Sequence, residues 1–240
     1  MKRYQYLIFD ADHTLYDYIA DEYAAFRALY AELGLPISDA LLTFSRHKSE
    51  EVWTQAGLYD VNSERIQREY HRLYRAHVKG IFEQVFEQFP CAEDPARVGE
   101  RFLYHLSKQG NPYPSTLPVL SALSKKQGGR YAITVATNGL SFNQDGRLQA
   151  LRPYVEKVFV SEAVGAIKPL VAFFQTLLKE LGAAADECLM IGDSFSSDIV
   201  GAKAAGIDAC WYNPTGAQPP NDCVTPDYVI QDLQELTTLL

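Results

Sequence analysis

Four short segments contain the side chains that could carry out chemistry, and they follow one another along a chain of 240 residues. The segments are Asp10 to Thr14, Thr137 to Gly139, Lys168 with Pro169, and Gly192 to Asp198. Together they supply carboxylates, hydroxyls and an ammonium group. Carboxylates can act as nucleophiles, transfer protons and bind hard metal ions, while a fixed ammonium group stabilises developing negative charge.

Three of these segments directly follow short apolar runs that are rich in β-branched and aromatic residues. Residues 6–9 precede the first segment, residues 132–135 the second and residues 188–191 the fourth. Such runs are typical of buried strands in a parallel sheet. Ligands of these sheets bind in the crevice beyond the carboxyl ends of the strands. We therefore expect three carboxylates, Thr137 and Lys168 to surround one crevice.

The four segments resemble the motifs of the haloacid dehalogenase superfamily of phosphohydrolases. The matching positions are Asp10, Asp12 and Thr14 for the first motif, Thr137 for the second, Lys168 for the third, and Gly192 to Asp198 for the fourth motif, GDxxxxD. The resemblance covers residues 1–16 and 113–240, and the segment between them carries no motif. His13 stands where the superfamily usually has glycine, a departure that favours the nucleotidase branch.

The segment without motifs has a different character from the rest of the chain. Residues 19–106 lack strand-like runs and show helical periodicity, and residues 110–114 form a Gly- and Pro-containing linker. Beyond the linker, strands and helices alternate, which indicates a doubly wound parallel sheet. We therefore predict an α/β fold with a Rossmann-like catalytic core, residues 1–16 and 113–240, and an inserted all-helical cap, residues 17–112.

The apolar runs and breaker residues also predict individual elements. The predicted strands are residues 4–9, 131–136, 157–160, 188–191, 208–212 and 227–230. The predicted helices beyond the linker are residues 115–126, 144–151, 170–181 and 197–205. Within the cap, Tyr70 and Tyr74 are expected to be core residues rather than a platform on which a base stacks.

Composition narrows the range of functions. A hydrophobic content of 47% is that of an ordinary globular protein, and a net charge of −8 argues against binding to a nucleic-acid polymer. We expect no signal segment and no membrane span, and therefore a cytoplasmic protein. The four cysteines are widely scattered, and Cys188 and Cys210 lie in apolar runs, where reduced, buried thiols are expected.

The resemblance implies a role for each carboxylate of the first and fourth motifs. Asp10 would accept the phosphoryl group as an aspartyl-phosphate, and Asp12 would protonate the leaving group and later deprotonate the attacking water. Asp10, Asp193 and the backbone carbonyl of Asp12 would bind Mg²⁺. An additional acid at Asp12 argues against a dehalogenase, because a halide leaves without a proton.

The remaining motif residues are expected to bind substrate or to orient other groups. Thr137 and Asn138 would donate hydrogen bonds to a phosphate oxygen, and Lys168 would offset its charge. Asp198 would orient Lys168 or a metal-bound water, with capping of the following helix, together with the neighbouring serines, as the alternative.

The resemblance implies a substrate that is a small phosphate monoester, because a helical cap excludes polymers and bulk water. A pyrimidine nucleoside 5′-monophosphate is the substrate that the cap length and the first motif favour. The alternatives are a sugar-phosphate or phosphoglycolate phosphatase, a β-phosphoglucomutase-like mutase, and a non-catalytic binding protein, which the intact motifs disfavour. Two explanations stay open for each of three residues. His13 either faces the substrate pocket or packs in the loop, and Tyr16 and Tyr18 either line that pocket or are exposed linker residues.

Overall fold

The computed structural model describes residues 4–220 and 224–240. Within them a six-stranded parallel sheet has the strand order β3-β2-β1-β4-β5-β6. The strands are β1 (Tyr6–Phe9), β2 (Ala132–Thr137), β3 (Val155–Val160), β4 (Cys188–Gly192), β5 (Asp208–Tyr212) and β6 (Tyr228–Ile230). The predicted doubly wound α/β fold is confirmed. Of the four cysteines, Cys223 lies outside the described residues, and Cys188 and Cys210 are buried free thiols.

The chain divides into two compact units. A sheet unit contains the described residues of Met1–Asp17, Pro112–Asn138 and Leu148–Leu240, and a helical unit contains Tyr18–Asn111 and Gly139–Arg147. The expected cap, residues 17–112, did not include residues 139–147. No helix among the described residues is long and apolar enough to span a bilayer.

The helices of the helical unit are α1 (Tyr18–Glu32), α2 (Asp39–Ala56), α3 (Glu64–Gln88), α4 (Pro95–Ser107) and α6 (Ser141–Arg147). Those of the sheet unit are α5 (Thr116–Leu123), α7 (Ser161–Val164), α8 (Val171–Leu181), α9 (Val200–Ala204) and α10 (Leu236–Leu239). The short helices α7 and α10 have no counterpart in the sequence-based prediction.

Both faces of the sheet are buried, as expected for a sheet built from parallel strands. Leu7 and Phe9 of β1 belong to one apolar cluster, whereas Ile8 between them belongs to another. This alternation follows from the two-residue period of a strand, which sends successive side chains to opposite faces. The central strands are therefore anchored on both sides and hold a fixed register.

That register determines which loops meet at the carboxyl edge of the sheet. Phe9 pairs with Val135 of β2 on one side and with Ile191 of β4 on the other. The three strands therefore end at nearly the same level. The residues that follow them, which carry the first, second and fourth motifs, emerge side by side.

Helix boundaries in the helical unit follow local capping signals. Ser38 accepts a hydrogen bond from the backbone N–H of Leu41 at the start of α2, and Gly57, at φ 72°, ends that helix. Asp94 caps α4, with Pro95 as its first residue. The apolar faces of α2 and α4 belong to one hydrophobic cluster.

Aromatic rings contribute much of the interior of the helical unit. The ring of Phe26 stacks on that of Phe102 with a centroid distance of 4.5 Å. Tyr70 is buried, and Tyr74 packs against the apolar cluster of this unit. Both tyrosines thus lie in or beside the interior of the helical unit.

Several predicted helices differ from the observed ones. The helix predicted at 115–126 ends at Leu123 and continues as a 3₁₀ turn, Lys125–Gln127, before two glycines. The helix predicted at 197–205 begins as a π-helical turn, Phe195–Ile199. β1 begins at Tyr6 rather than at residue 4. These differences fall at element ends, where hydrogen-bond patterns change within one turn.

The prediction of a helix at 144–151 was wrong in position. The observed α6 begins at Ser141 and ends at Arg147, and a 3₁₀ turn spans Leu148–Leu151. Its buried residues, Asn143, Gln144 and Arg147, are all polar, so the apolar periodicity could not reveal which face is buried.

A buried carboxylate joins three parts of the helical unit. Asp21 of α1 accepts hydrogen bonds from the backbone N–H groups of Gly110 (3.1 Å) and Asn111 (2.9 Å). Its other oxygen accepts from the guanidinium of Arg147 at 2.7 Å, and both side chains are fully buried. The ion pair thus holds residues 139–147 against α1, and the two backbone hydrogen bonds hold the end of the segment 18–111 against the same carboxylate.

Candidate active site

Lys168 lies at the centre of the polar cluster beyond the strand ends. Its ammonium group donates to Asp10 Oδ1 (2.5 Å), to Asp198 Oδ1 (2.7 Å) and to the backbone carbonyl of Ala136 (2.8 Å). All three N–H groups of the ammonium therefore have an acceptor, although only 2% of the lysine is exposed. Burial alone would lower the pKa of Lys168, but the two carboxylates outweigh burial and raise that pKa. The lysine is a fixed cation.

The carboxylates around Lys168 carry more negative charge than one ammonium group can neutralise. Burial, together with the charges of Asp198 and Asp12, raises the pKa of Asp10 to about 7 despite the opposing effect of Lys168. Burial and the charge of Asp10 raise the pKa of Asp193 to about 7 as well. Burial also raises the pKa of Asp198. A further cation would stabilise the ionised forms of all three groups.

Carboxylate oxygens of this cluster could hold that cation. One oxygen from each of Asp10, Asp193 and Asp198 lies within 4.8 Å of the others. Hard oxygen donors of this kind suit Mg²⁺, which is commonly bound by one or two carboxylates and keeps several waters. The donor set and its excess negative charge therefore fit a magnesium ion.

Asp198 is placed to orient Lys168. It is fully buried, with one oxygen on the ammonium group and the other accepting the backbone N–H of Ser194 at 3.1 Å. The cap of the following turn is Ser194, whose hydroxyl accepts the N–H of Ser197. Gly192 leaves space for this carboxylate, since a Cβ there would lie 2.2 Å from Asp198 Oδ2.

Asp193 is restrained by two other residues of the sheet unit. The hydroxyl of Thr14 donates to Asp193 Oδ1 and accepts the Asp193 backbone N–H, both at 3.0 Å. The indole N–H of Trp211 donates to the Asp193 backbone carbonyl at 2.9 Å. Sequence reasoning missed Trp211. Its position near the carboxyl end of the predicted strand 208–212 is the signal that could have identified it, and in the structure it pairs with Gly192.

The second motif contributes its polar groups in different ways. Thr137 is buried at the end of β2. The side-chain amide of Asn138 donates to the backbone carbonyl of Lys168 (2.9 Å) and accepts the Lys168 N–H (2.8 Å). Asn138 thus holds the backbone that carries the ammonium group, a contact that the sequence did not predict. The Lys168–Pro169 peptide bond is cis.

The loop after β1 makes a tight turn at the position where the superfamily usually has glycine. His13 has a φ of 65° and is the only non-glycine residue with a positive φ among the residues that the structure describes. Its N–H donates to the backbone carbonyl of Tyr16, and its side chain is exposed. Because left-handed backbone favours glycine, the usual glycine has a conformational reason. Asp12, beside it, is half-buried.

The tyrosines after this loop differ in environment. Tyr16 has no exposed surface and packs in the apolar cluster of the sheet unit, so the alternative of an exposed linker residue is wrong for it. Tyr18, in the helical unit, lies under the guanidinium of Arg147, 5.2 Å from the ring centroid.

The parallel sheet with this polar cluster beyond its strand ends is typical of one family of hydrolases. A family model of haloacid dehalogenase-like hydrolases matches residues 4–206, and the chain belongs to this family. The predicted family and the prediction of an enzyme are thereby confirmed.

Named relatives cover nearly the whole chain. Pyrimidine 5′-nucleotidase PynA of Streptococcus pneumoniae is 31% identical over 239 residues, which span 96% of this chain and 93% of PynA. Pyrimidine 5′-nucleotidase YjjG of Escherichia coli is 26% identical and covers 99% of this chain and 98% of YjjG. The magnesium-bound crystal structure of the hydrolase YfnB from Bacillus subtilis has a TM-score of 0.80, with 27% identity and coverage of 100% of this chain and 99% of YfnB.

Proposed function

We propose that this hydrolase is a Mg²⁺-dependent phosphatase of small phosphate monoesters, with Asp10 as the nucleophile. The observation that carries the proposal is the buried cluster of Asp10, Lys168 and Asp198, with Asp193 beside it. A structural ion pair would need one carboxylate for one ammonium group, whereas this cluster concentrates three. Such an excess is expected where a cation and a phosphoryl group must bind together.

In the proposed first step, a carboxylate oxygen of Asp10 attacks phosphorus. Asp10 Oδ1 accepts the Lys168 hydrogen bond, which leaves Oδ2 to form the new bond to phosphorus as the bond to the leaving oxygen breaks. Asp12 transfers its proton to that oxygen, and the products are an alcohol and an aspartyl-phosphate.

In the second step, water replaces the enzyme carboxylate. Asp12, now ionised, removes a proton from water as the water oxygen attacks phosphorus, which releases phosphate and restores the Asp10 carboxylate. Bound Mg²⁺, held by Asp10, Asp193 and the Asp12 carbonyl, would supply positive charge that reduces repulsion between phosphate and nucleophile. Lys168 contributes a fixed charge beside the same oxygen atoms.

A matched pair of variants tests the nucleophile. Asp10→Asn should lower phosphate release from an aryl phosphate by roughly 10³-fold or more. Asp186→Asn changes an exposed carboxylate just before β4 and should leave the rate unchanged. Circular dichroism would verify folding. Full activity in Asp10→Asn would refute the assignment.

Leaving groups of different basicity test the proposed acid. Asp12→Asn should slow hydrolysis of alkyl phosphates far more than that of nitrophenyl phosphate, because nitrophenolate leaves without protonation. Equal losses on both substrates would contradict the role of Asp12.

For the substrate, we propose nucleoside 5′-monophosphates, with UMP, dUMP and dTMP among the better ones. Support comes from the two nucleotidase relatives, which this chain matches along nearly its whole length. We further propose that the helical unit is the cap that selects this substrate. The Thr137 hydroxyl and the backbone N–H groups of Thr137 and Asn138 would bind its phosphate. With a net charge of −8, we expect no binding to a nucleic-acid polymer.

Relative specificity decides the substrate class. The assay compares kcat/KM for the three nucleotides with that for hexose phosphates and phosphoglycolate, in the presence of Mg²⁺. A sugar phosphate or phosphoglycolate that exceeds every nucleotide by about tenfold would overturn the nucleotidase proposal while leaving the phosphatase chemistry in place.

A further inference from the structure

Asp193 is the one carboxylate of the cluster without a hydrogen bond to Lys168, so other contacts must set its position. Its backbone N–H and one carboxylate oxygen both meet the hydroxyl of Thr14. Its backbone carbonyl accepts the indole N–H of Trp211. Hydrogen bonds therefore restrain the residue at three atoms, and the residues that make them come from the loop after β1 and from the end of β5.

Trp211 is well placed to act as the rigid part of this arrangement. It is 6% exposed and pairs with Gly192, the residue directly before Asp193, in the sheet register. Its ring packs edge to face against Phe195 with centroids 5.1 Å apart. Phe195 begins the turn that carries Asp198. The indole therefore contacts the fourth motif at two positions, Asp193 and Phe195.

The choice of tryptophan at this position has a chemical reason. A buried indole has one polar atom, which needs an acceptor, and the Asp193 carbonyl provides it. Phenylalanine would fill most of the same space but could not donate. The hydrogen bond, rather than the apolar contact, is thus the feature specific to tryptophan.

We propose that Trp211 is a positioning residue for the proposed metal ligand Asp193, and that its hydrogen bond raises the affinity of the site for a divalent cation. The inference rests on the proposed magnesium site. Groups that orient metal ligands usually change metal affinity or activity by 10- to 100-fold when they are removed. The indole acts through the backbone of Asp193.

The first test measures Mg²⁺ binding directly. By isothermal titration calorimetry, Trp211→Phe should bind Mg²⁺ about 10-fold more weakly than the wild type. Trp53→Phe is the matched control, because Trp53 packs in the helical unit against Tyr70, Tyr74 and His77. Wild-type affinity in a folded Trp211→Phe protein would overturn the inference.

A spectroscopic test does not require the Trp211→Phe protein to fold. The chain has two tryptophans, so Trp211 is the sole indole fluorophore of Trp53→Phe. Its emission should change on titration with Mg²⁺, with the midpoint found by calorimetry. Emission that stays constant while calorimetry reports binding would overturn the inference, because an indole that positions a metal ligand should respond when the metal binds.

Kinetics separate positioning from general damage. Raising the Mg²⁺ concentration should restore the phosphatase rate of Trp211→Phe, because only affinity is weakened. A rate that stays equally low at every concentration would refute the proposal. If the wild type hydrolyses phosphate esters but Trp211→Phe is unchanged, this inference alone fails. If the wild type neither binds Mg²⁺ nor releases phosphate, both proposals fail.

Discussion

Replacing Lys168 with methionine tests whether the buried cluster is a charge-balanced unit. Methionine keeps an unbranched stem but removes the ammonium group. In the folded protein, Lys168 and Asp198 are 2% and 0% exposed and 2.7 Å apart. Leaving buried carboxylates without their cation should lower the free energy of unfolding by about 3–5 kcal/mol near pH 8.

The chain contains a matched control for this substitution. Lys203 and Asp227 are also 2.7 Å apart, but their side chains are 31% and 27% exposed. Solvent screening limits such a pair, so Lys203→Met should cost about 1 kcal/mol or less. The difference between the two variants measures the combined effect of burial and of the second carboxylate, Asp10, beside Lys168.

The loss in Lys168→Met should also depend on pH. The pKa of Asp10 is about 7 with Lys168 present, and removal of the cation raises it further. A raised folded-state pKa means that the folded protein binds the proton more tightly than the unfolded chain does. The cost is therefore small at pH 5, where the carboxyl is protonated, and grows as the pH rises through the folded pKa.

Urea denaturation in EDTA at pH 5 and pH 8 would measure both effects. The reasoning would be refuted if Lys168→Met and Lys203→Met lost the same stability at pH 8. It would also be refuted if Lys168→Met lost more at pH 5 than at pH 8.

Three further predictions follow from other features of the structure. Asp21→Asn leaves the buried Arg147 guanidinium without a counter-charge and should cost about 3 kcal/mol in urea denaturation, with a loss below about 1 kcal/mol contradicting this. At position 13, His13→Gly should be more stable than His13→Ala by about 1 kcal/mol, whereas Ala76→Gly in the middle of α3 should be less stable than wild type by a similar amount, both by thermal melting. Without metal, stability should fall by up to about 4 kcal/mol between about pH 4 and pH 7, because burial raises the pKa of Asp10 from 3.8 to about 7. Mg²⁺ should then raise the melting temperature more at pH 8 than at pH 5, and a larger effect at pH 5 would contradict the raised pKa.

The sequence predicted the part of the site that depends on strand ends. Residues at the carboxyl ends of neighbouring parallel strands must emerge together, and the register of Phe9 with Val135 and Ile191 produces that result. The structure accordingly brings Asp10 and Asp198 onto Lys168, with Asp193 beside them. Order along the chain and apolar runs were sufficient for this inference.

Contacts that depend on side-chain orientation were not predictable in the same way. Thr14 and Asp193 are 179 positions apart, and no local pattern indicates that one hydroxyl meets both the N–H and the carboxylate of the other. The Asn138 amide also has its partner at a distance, in the backbone of Lys168. Such pairings follow from the final packing, so a single sequence carries no direct signal of them.

The helical unit shows a second limit of prediction from the sequence. Its segment 18–111 was recognisable from helical periodicity, but residues 139–147 bury polar groups rather than an apolar face. Asn143 donates to the backbone carbonyl of Leu103, and Arg147 pairs with Asp21. Buried polar contacts satisfy specific partners instead of following a hydrophobic period, and sequence patterns detect only the latter.

The attachment of residues 139–147 to the helical unit determines how this enzyme could be recombined with its relatives. A chimera that exchanges only the segment 18–111 would separate Arg147 from Asp21 and leave the buried guanidinium without its counter-charge. It would also have to reproduce the close approach at Gly110, where a Cβ would lie 2.4 Å from the backbone oxygen of Arg147. The helical unit therefore consists of two separate stretches of chain, 18–111 and 139–147, and a grafting experiment should move both together.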